Sequence, residues 1–205
     1  GETAIAASTG DFRTVSSGNW HTPRTWETFN GSDWVTTNTP PNASSNTILI
    51  SSGHTVIINT KVTADQVVVS KDAKLVAENG ELKITNGEGI DLLVKGEMEI
   101  RGSLEISKEA LAETENTTLF EDAKLDLQGQ IIINGKFVNN GGKMQIEKDH
   151  ITVKDQGTYE HAFDGGSLPI AKWEKNSFCE ITGVFMTIPQ NFDQAFGNFK
   201  WNSAA

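Results

Sequence analysis

Three tryptophans lie close together near the start of the chain, at Trp20, Trp26 and Trp34. An indole face gives apolar contact to a sugar ring and the ring N–H can donate a hydrogen bond, so the three are candidate carbohydrate-binding residues. The structural alternative is a cap, because an uncovered repeat stack exposes unpaired backbone groups and its apolar interior. The position of the cluster, ahead of a strand-rich region, favours the cap.

Carboxylates are the second group of residues that could be catalytic, because glycoside hydrolysis needs two acids positioned on one glycosidic bond. The acids considered for such a pair are Glu97, Glu99, Glu105, Asp126 and Asp164. Glu97 and Glu99 alternate with apolar residues, which is the pattern of a solvated strand face. A lyase of the pectate type would add calcium-binding carboxylates and an Arg or Lys base, and the few arginines form no such cluster. We therefore predict no catalytic residues.

Histidine and cysteine give no metal signature. The histidines are His21, His54, His150 and His161. None stands at HxH or HExxH spacing, and we interpret His54 and His161 as hydrogen-bonding corner residues. Cys179 is the single cysteine, which leaves no internal disulfide and no CxxC set, and we predict a small buried apolar role for it. Asp164-Gly165-Gly166 is predicted to be a turn. The sequence thus predicts neither a metal nor a cofactor.

The charge balance argues against two classes of partner. The 205 residues include 17 Lys and Arg against 27 Asp and Glu, for a formal net charge of −10. The basic residues are scattered among acids, whereas nucleic-acid binding proteins cluster them to neutralise phosphates. Anionic membrane surfaces are disfavoured for the same reason. No apolar run approaches the roughly 20 residues of a membrane span.

The chain divides into two regions by composition. Residues 1–46 are rich in Trp, Thr, Ser, Asn and Gly, and we predict an aromatic-rich N-terminal cap segment there. From residue 47 to 205, short runs of alternating apolar and polar residues follow one another, punctuated by Gly, Asn or Asp, and predict stacked strands. The Gly1 start and the aromatic run before residue 205 lead us to expect a piece of a longer exported protein, without its export signal.

A weak internal repeat favours a coiled stack. Val94–Gly102 and Leu127–Gly135 share one frame with glycine at both corners, where we predict positive φ values that permit sharp bends. The run 108–113 favours a helix and is predicted to loop off one corner. These features predict an all-β fold, a right-handed single-stranded parallel β-helix. A β-sandwich or jelly roll is the alternative.

The motifs also carry a family resemblance. The run Ser17–Trp26 resembles the "GNW..P.TW" opening of secreted Bacteroidetes-type β-helix proteins, and Asn46–Ile58 is similar to the "GD.V.I..GHTV.I" stretch that follows it there, with Ser45-Asn46 in place of Gly-Asp. The front end is also similar to the G8 module of extracellular proteins. The resemblance implies export, a parallel β-helix and a larger parent, and it is nearly silent on activity.

These observations predict a non-catalytic structural or adhesion module of a secreted or cell-surface bacterial protein. Its expected partner is a glycan or surface polysaccharide, and neither nucleic acid nor a membrane span is expected. Two alternatives stay open at this point. The chain could be the N-terminal part of a polysaccharide-active β-helix lyase or hydrolase, or it could be a carbohydrate-binding domain that uses the tryptophan cluster.

Overall fold

A computed structural model describes residues 6–204 as a parallel β-solenoid of about eight turns. The turns contribute short strands to two or three lateral faces, and from β5 onward each strand pairs in parallel with a strand of a neighbouring turn. Pairing therefore runs between turns rather than between neighbouring strands of a hairpin, which distinguishes the fold from the sandwich alternative. The prediction of a parallel β-helix is confirmed. No helix among these residues is long and apolar enough to cross a membrane.

Face 1 and face 2 are continuous because two long strands run across both of them. Face 1 contains β1 (Phe12–Thr14), β5 (Ile48–Ile50), β8 (Val67–Val69), β11 (Leu92–Val94), the first halves of β14 (Leu111–Leu119) and β16 (Gln130–Asn139), β18 (Ile151–Val153) and β20 (Lys172–Trp173). Face 2 contains β2 (Gly18–Asn19), β6 (Thr55–Ile58), β9 (Lys74–Ala77), β12 (Glu97–Ile100), the second halves of β14 and β16, β19 (Thr158–His161), β21 (Phe178–Ile181) and β22 (Asn198–Trp201).

Face 3 is shorter than the other two. It contains β7 (Val62–Ala64), β10 (Glu81–Ile84), β13 (Ser103–Ile106), β15 (Lys124–Leu127) and β17 (Lys143–Ile146). Successive partners on a face lie about 20 residues apart in sequence, so side chains of one kind stack in ladders. Because residues alternate sides along a strand, every second residue points into a single apolar column.

The N-terminal end of the column is closed by antiparallel strands. β3 (Trp26–Phe29) pairs antiparallel with β1 and with β4 (Trp34–Thr36), after a 3-10 turn at Pro23–Thr25. β1 in turn pairs in parallel with β5, and β2 pairs with β6. Residues 6–46 therefore extend faces 1 and 2 by one strand each and then cover the edge of β1.

A recurrent four-residue turn forms many of the corners. In Ser70–Ala73, Ser107–Ala110 and Phe120–Ala123 the N–H of the fourth residue donates to the carbonyl of the first at 3.0–3.1 Å. The third residue has a left-handed backbone, as at Glu109 with φ 68°, and the alanine is buried. The predicted helix over 108–113 is therefore wrong. Lys108 and Glu109 lie in a corner turn, and β14 begins at Leu111 because its alternating residues pair with β11.

The repeated glycines serve close packing rather than backbone bending. Gly96, Gly102, Gly129 and Gly135 all lie at corners, as predicted, but none of the four has a positive φ. A Cβ at Gly135 would lie 2.1 Å from the carbonyl oxygen of Glu115 in the preceding turn, and a Cβ at Gly96 would lie 2.2 Å from that of Ala73. The expectation of positive φ at these corners was wrong. Glycine is required there because successive turns approach too closely for any side chain.

Candidate functional site

Trp20 and Trp26 pack against each other at the N-terminal end of the interior. Their ring centroids are 5.1 Å apart in an edge-to-face arrangement, with exposed fractions of 1% and 0%. The indole N–H of Trp20 donates to the Pro41 carbonyl at 2.9 Å, and that of Trp26 donates to the Trp20 carbonyl at 2.8 Å. Both apolar rings are thus removed from water with their polar atoms satisfied. Neither ring presents a face to a ligand in solution.

Trp34 lies apart from that pair, on the antiparallel hairpin. It is partly exposed and packs against Phe29 with ring centroids 5.4 Å apart. The Arg13 guanidinium lies 4.3 Å from the ring centroid and also pairs with Glu27 at 3.0 Å. Cation–π contact and the ion pair together hold this small surface in place. The three predicted binding residues therefore form no common platform, and only Trp34 could contact a ligand with its ring.

A groove that the sequence did not predict lies beside this end of the solenoid. It has a volume of about 310 Å³ and lies between Trp20 and His21, the segment 39–43, and residues 61–63, of which Val62 and Thr63 belong to β7. Pro40 and Pro41 form part of one wall, and the edge of β7 forms the other. Its polar atoms come from residues far apart in sequence. Only the stacking of the turns brings them together, so no local motif could reveal the groove.

Three of the candidate carboxylates, those of Glu97, Glu99 and Glu105, form ion pairs with lysines of the preceding turns. Glu99 receives hydrogen bonds from Lys74 and from Arg101, the latter at 2.8 Å, and Glu105 pairs with Lys83 at 2.9 Å. Burial alone would raise the pKa of Glu99, but the bonds from Lys74 and Arg101 outweigh it and lower that pKa. A general acid needs the opposite shift. These ladders stabilise the outer faces and provide no acid–base pair.

One pair of acids, Asp65 and Asp91, interacts electrostatically near the corner before β11. Burial, together with the charge of Asp91, raises the pKa of Asp65. Asp91 is fully buried and accepts hydrogen bonds from the backbone N–H groups of Gly87 at 2.6 Å and Leu111 at 2.8 Å. Its carboxylate therefore holds the corner loop against the next turn. Within residues 6–204, no group of three or more His, Cys, Asp or Glu side chains is arranged to hold a metal ion.

His54 and His161 both make the hydrogen bonds predicted for them, but only His54 lies at a corner, since His161 is the last residue of β19. His54 Nδ1 and Thr14 Oγ1 are 2.8 Å apart. His161 is fully buried inside face 2, with its Nε2 2.8 Å from the Gly165 carbonyl and its ring packed against that of Phe163 in a tilted arrangement, with centroids 4.0 Å apart. Because the carbonyl can only accept, Nε2 carries the proton, and the neutral ring leaves Nδ1 without a hydrogen bond.

Burial of His161 gives a testable pH dependence. Burial lowers its pKa in the folded state, so the unfolded chain takes up a proton first. Its contribution to stability is complete above the unfolded pKa of about 6.5 and is lost as the pH falls toward the lowered folded pKa. We expect denaturation at about pH 7, 6 and 5 to give a falling free energy of unfolding. His161→Gln should flatten this trend, whereas exposed His21→Gln should keep it; two equal slopes would contradict the assignment.

Cys179 on β21 pairs with Tyr159 on β19, and both side chains point into the apolar interior. Both are fully buried, which confirms the apolar role predicted for the cysteine. Burial raises the pKa of the Cys179 thiol to about 12, and burial likewise raises that of the Tyr159 hydroxyl. A thiol held protonated and away from solvent is a poor nucleophile.

Asp164 organises an apolar loop at the C-terminal end of face 2. Its Oδ1 accepts hydrogen bonds from the backbone N–H groups of Phe185, Met186 and Thr187 at 2.7–2.9 Å, and these bonds lower the pKa of Asp164. Phe185 and Met186 are nevertheless 67% and 81% exposed. The predicted turn at Asp164-Gly165-Gly166 is present, and its function is to anchor this neighbouring loop.

Comparisons of the chain with protein-family models, with curated proteins and with solved structures found no match.

Proposed function

We propose that this chain is a rigid, non-catalytic structural or adhesive module of a secreted or cell-surface bacterial protein. The observation that supports it best is the use of the outer acids Glu99 and Glu105, which pair with Lys74 and Lys83 of the preceding turns, and in the case of Glu99 also with Arg101 of its own turn, instead of facing a shared cleft. The resemblance to Bacteroidetes-type β-helix proteins and to the G8 module supports the export and the surface location. A stack stabilised turn by turn suits a spacer that presents long lateral faces.

The outer side of face 1 is the lateral surface that best suits adhesion. Leu49, Val68 and Leu93 stack in register, one from each of three successive turns, and all three are partly exposed. Arg13 lies beside Leu49 at one end of this ladder, and Glu113 lies beside Leu93 at the other. An apolar strip bounded by charges can make many weak contacts to an extended partner, and many copies on a surface would multiply them.

A second candidate function is glycan recognition at Trp34. The partly exposed indole and the neighbouring Arg13 and Glu27 offer one stacking surface and several hydrogen-bonding groups. Trp20 and Trp26 contribute only by supporting the hairpin, since they are buried. This candidate requires that Trp34→Ala remain folded and lose binding.

A combined screen tests the proposal. The purified chain is applied to an array of bacterial and plant glycans and incubated with the same polysaccharides, while new reducing ends and unsaturated products are measured. We expect no turnover. Turnover that disappears in Glu99→Gln or Glu105→Gln would overturn the non-catalytic proposal. Binding that Trp34→Ala abolishes without loss of fold would establish the glycan function.

A further inference from the structure

Face 3 lacks the first strand that faces 1 and 2 possess. β1 lies beside β5 on face 1 and β2 lies beside β6 on face 2, but within residues 6–204 no strand pairs with β7 on the side opposite β10. The groove of about 310 Å³ occupies the place of this missing strand. The ladder of face 3 therefore ends at an open edge that a further extended chain could continue.

The backbone of β7 can accept such a strand. In a parallel ladder, alternate residues direct their amide and carbonyl to opposite sides. All three residues of β7 are in register with β10, and because the Ala64 carbonyl accepts from the Thr85 N–H at 3.0 Å, Val62 and Ala64 are the residues whose backbone groups face β10. Thr63, between them, directs its N–H and carbonyl to the other side, into the groove that it lines.

The opposite wall is held away from this edge. The Trp20 indole N–H fixes the Pro41 carbonyl at 2.9 Å, and Asn42 forms a turn with Ser45 through bonds of 2.9 and 3.0 Å. Pro40 and Pro41 have no N–H to donate, so this wall cannot pair with β7 as a strand does. The groove is thus bounded by a fixed wall and an open strand edge.

The charged and apolar residues around the groove indicate which side chains a bound strand would have. Lys61 lines the groove with its side chain 65% exposed, and its contact with Glu81 is long, at 3.5 Å. Exposed His21 lines the groove as well. At the bottom of the groove, Val62 is buried, and it is the last apolar side chain in the row that continues with Leu82 of β10. A strand with acidic residues toward Lys61 and apolar residues above Val62 would extend both the polar and the apolar ladder.

We propose that this groove is a strand-addition site for an extended peptide with alternating acidic and apolar residues. The peptide pairs in parallel with the open edge of β7, uses the amide and carbonyl of Thr63, and places its carboxylates near Lys61. Main-chain hydrogen bonds supply affinity and the alternate side chains supply selectivity, as in other cases of strand addition. The proposal goes beyond a spacer role because it gives the module a defined class of protein partner.

The test titrates the intact chain with a capped peptide of the sequence Gly-Glu-Val-Glu-Ile-Glu-Gly, while hydrogen exchange is followed residue by residue. We expect the Thr63 amide to exchange at least about tenfold more slowly in the complex, with Val62 and Ala64 unchanged. Lys61→Gln should weaken binding by about tenfold, the effect of losing one charge-assisted contact. Lys71→Gln, an exposed lysine in a corner turn, is the matched control and should bind as the parent does.

Two control peptides test whether binding depends on the acidic side chains and on main-chain hydrogen bonds. One replaces each glutamate by lysine, and the other carries an N-methylated valine that cannot donate its hydrogen bond; both should bind poorly. The proposal is overturned if millimolar peptide does not bind, if Thr63 gains no protection, or if Lys61→Gln and Lys71→Gln bind equally. It is also overturned if the groove instead binds a glycan that Lys61→Gln releases and the peptide does not displace.

Discussion

Replacing Trp26 by alanine is expected to lower the free energy of unfolding by about 3–5 kcal/mol, the usual cost of deleting a large buried aromatic side chain. The Trp26 ring is fully buried between Trp20 and the first turns, and its N–H is bonded to the Trp20 carbonyl. The substitution removes apolar burial, the edge-to-face contact and a satisfied hydrogen bond together. Guanidinium denaturation followed by circular dichroism measures the loss.

Trp34→Ala is the matched control, since Trp34 belongs to the same cluster in sequence but is partly exposed. Its ring contacts with Phe29 and Arg13 predict a loss of at most about 2 kcal/mol. If the two alanine variants lost equal stability, Trp26 would not be closing the column. A stable Trp26→Ala variant would also reopen the possibility that the whole cluster serves binding.

Gly135→Ala is expected to cost about 3 kcal/mol or more, although it adds a single methyl group. The added Cβ would lie 2.1 Å from the Glu115 carbonyl oxygen and 2.9 Å from two further backbone atoms of that residue. Backbone atoms cannot rotate away as a side chain can, so two turns must separate and strain the ladders on both sides. The loss of unfolding free energy is again read from denaturant titration.

Gly89→Ala separates this clash from ordinary glycine strain. Gly89 has a φ of +77°, but a Cβ there would meet no atom within 4 Å. Its substitution should cost only the left-handed backbone penalty of about 1–2 kcal/mol. Equal losses at the two positions would show that turn-to-turn clearance does not govern Gly135, and would restore the bending interpretation that the repeat first suggested.

The strands were predictable because alternation along each short run depends on local sequence alone. Ile48–Ile50 and Glu97–Ile100 both lie in strands within the runs that predicted them. The Lys108–Glu113 run misled because helix propensity is a weak preference, and pairing with the preceding turn overrides it. The corner glycines were located by the repeat, but the reason for them lies in the neighbouring turn, which the sequence does not display.

The candidate site was less predictable than the strands, because it depends on contacts between turns that the sequence does not display. Trp20 and Trp26 are buried and Trp34 is partly exposed because of which residues the first turn covers. The local sequence around the three tryptophans does not distinguish the buried ones from the exposed one. The groove combines Pro41 with Lys61 and Thr63 across the stack. Likewise, Asp164 binds backbone amides more than 20 residues away. Such sites follow from the register between turns.

Within residues 6–204 the first and last turns of the apolar column differ in how well they are buried, and for this 205-residue chain the difference gives a direction of unfolding. At the N-terminal end Trp20 and Trp26 are sealed, whereas on the last strand the inward residues Phe199 and Trp201 remain 41% and 37% exposed. A linear stack loses its turns most readily from the end where the fewest contacts must be broken. In the 205-residue chain taken by itself, heat or denaturant would therefore separate β22 before it opens the turn that contains Trp20 and Trp26, so that partly melted molecules would keep the hairpin and the groove while they lose the apolar loop at Phe185.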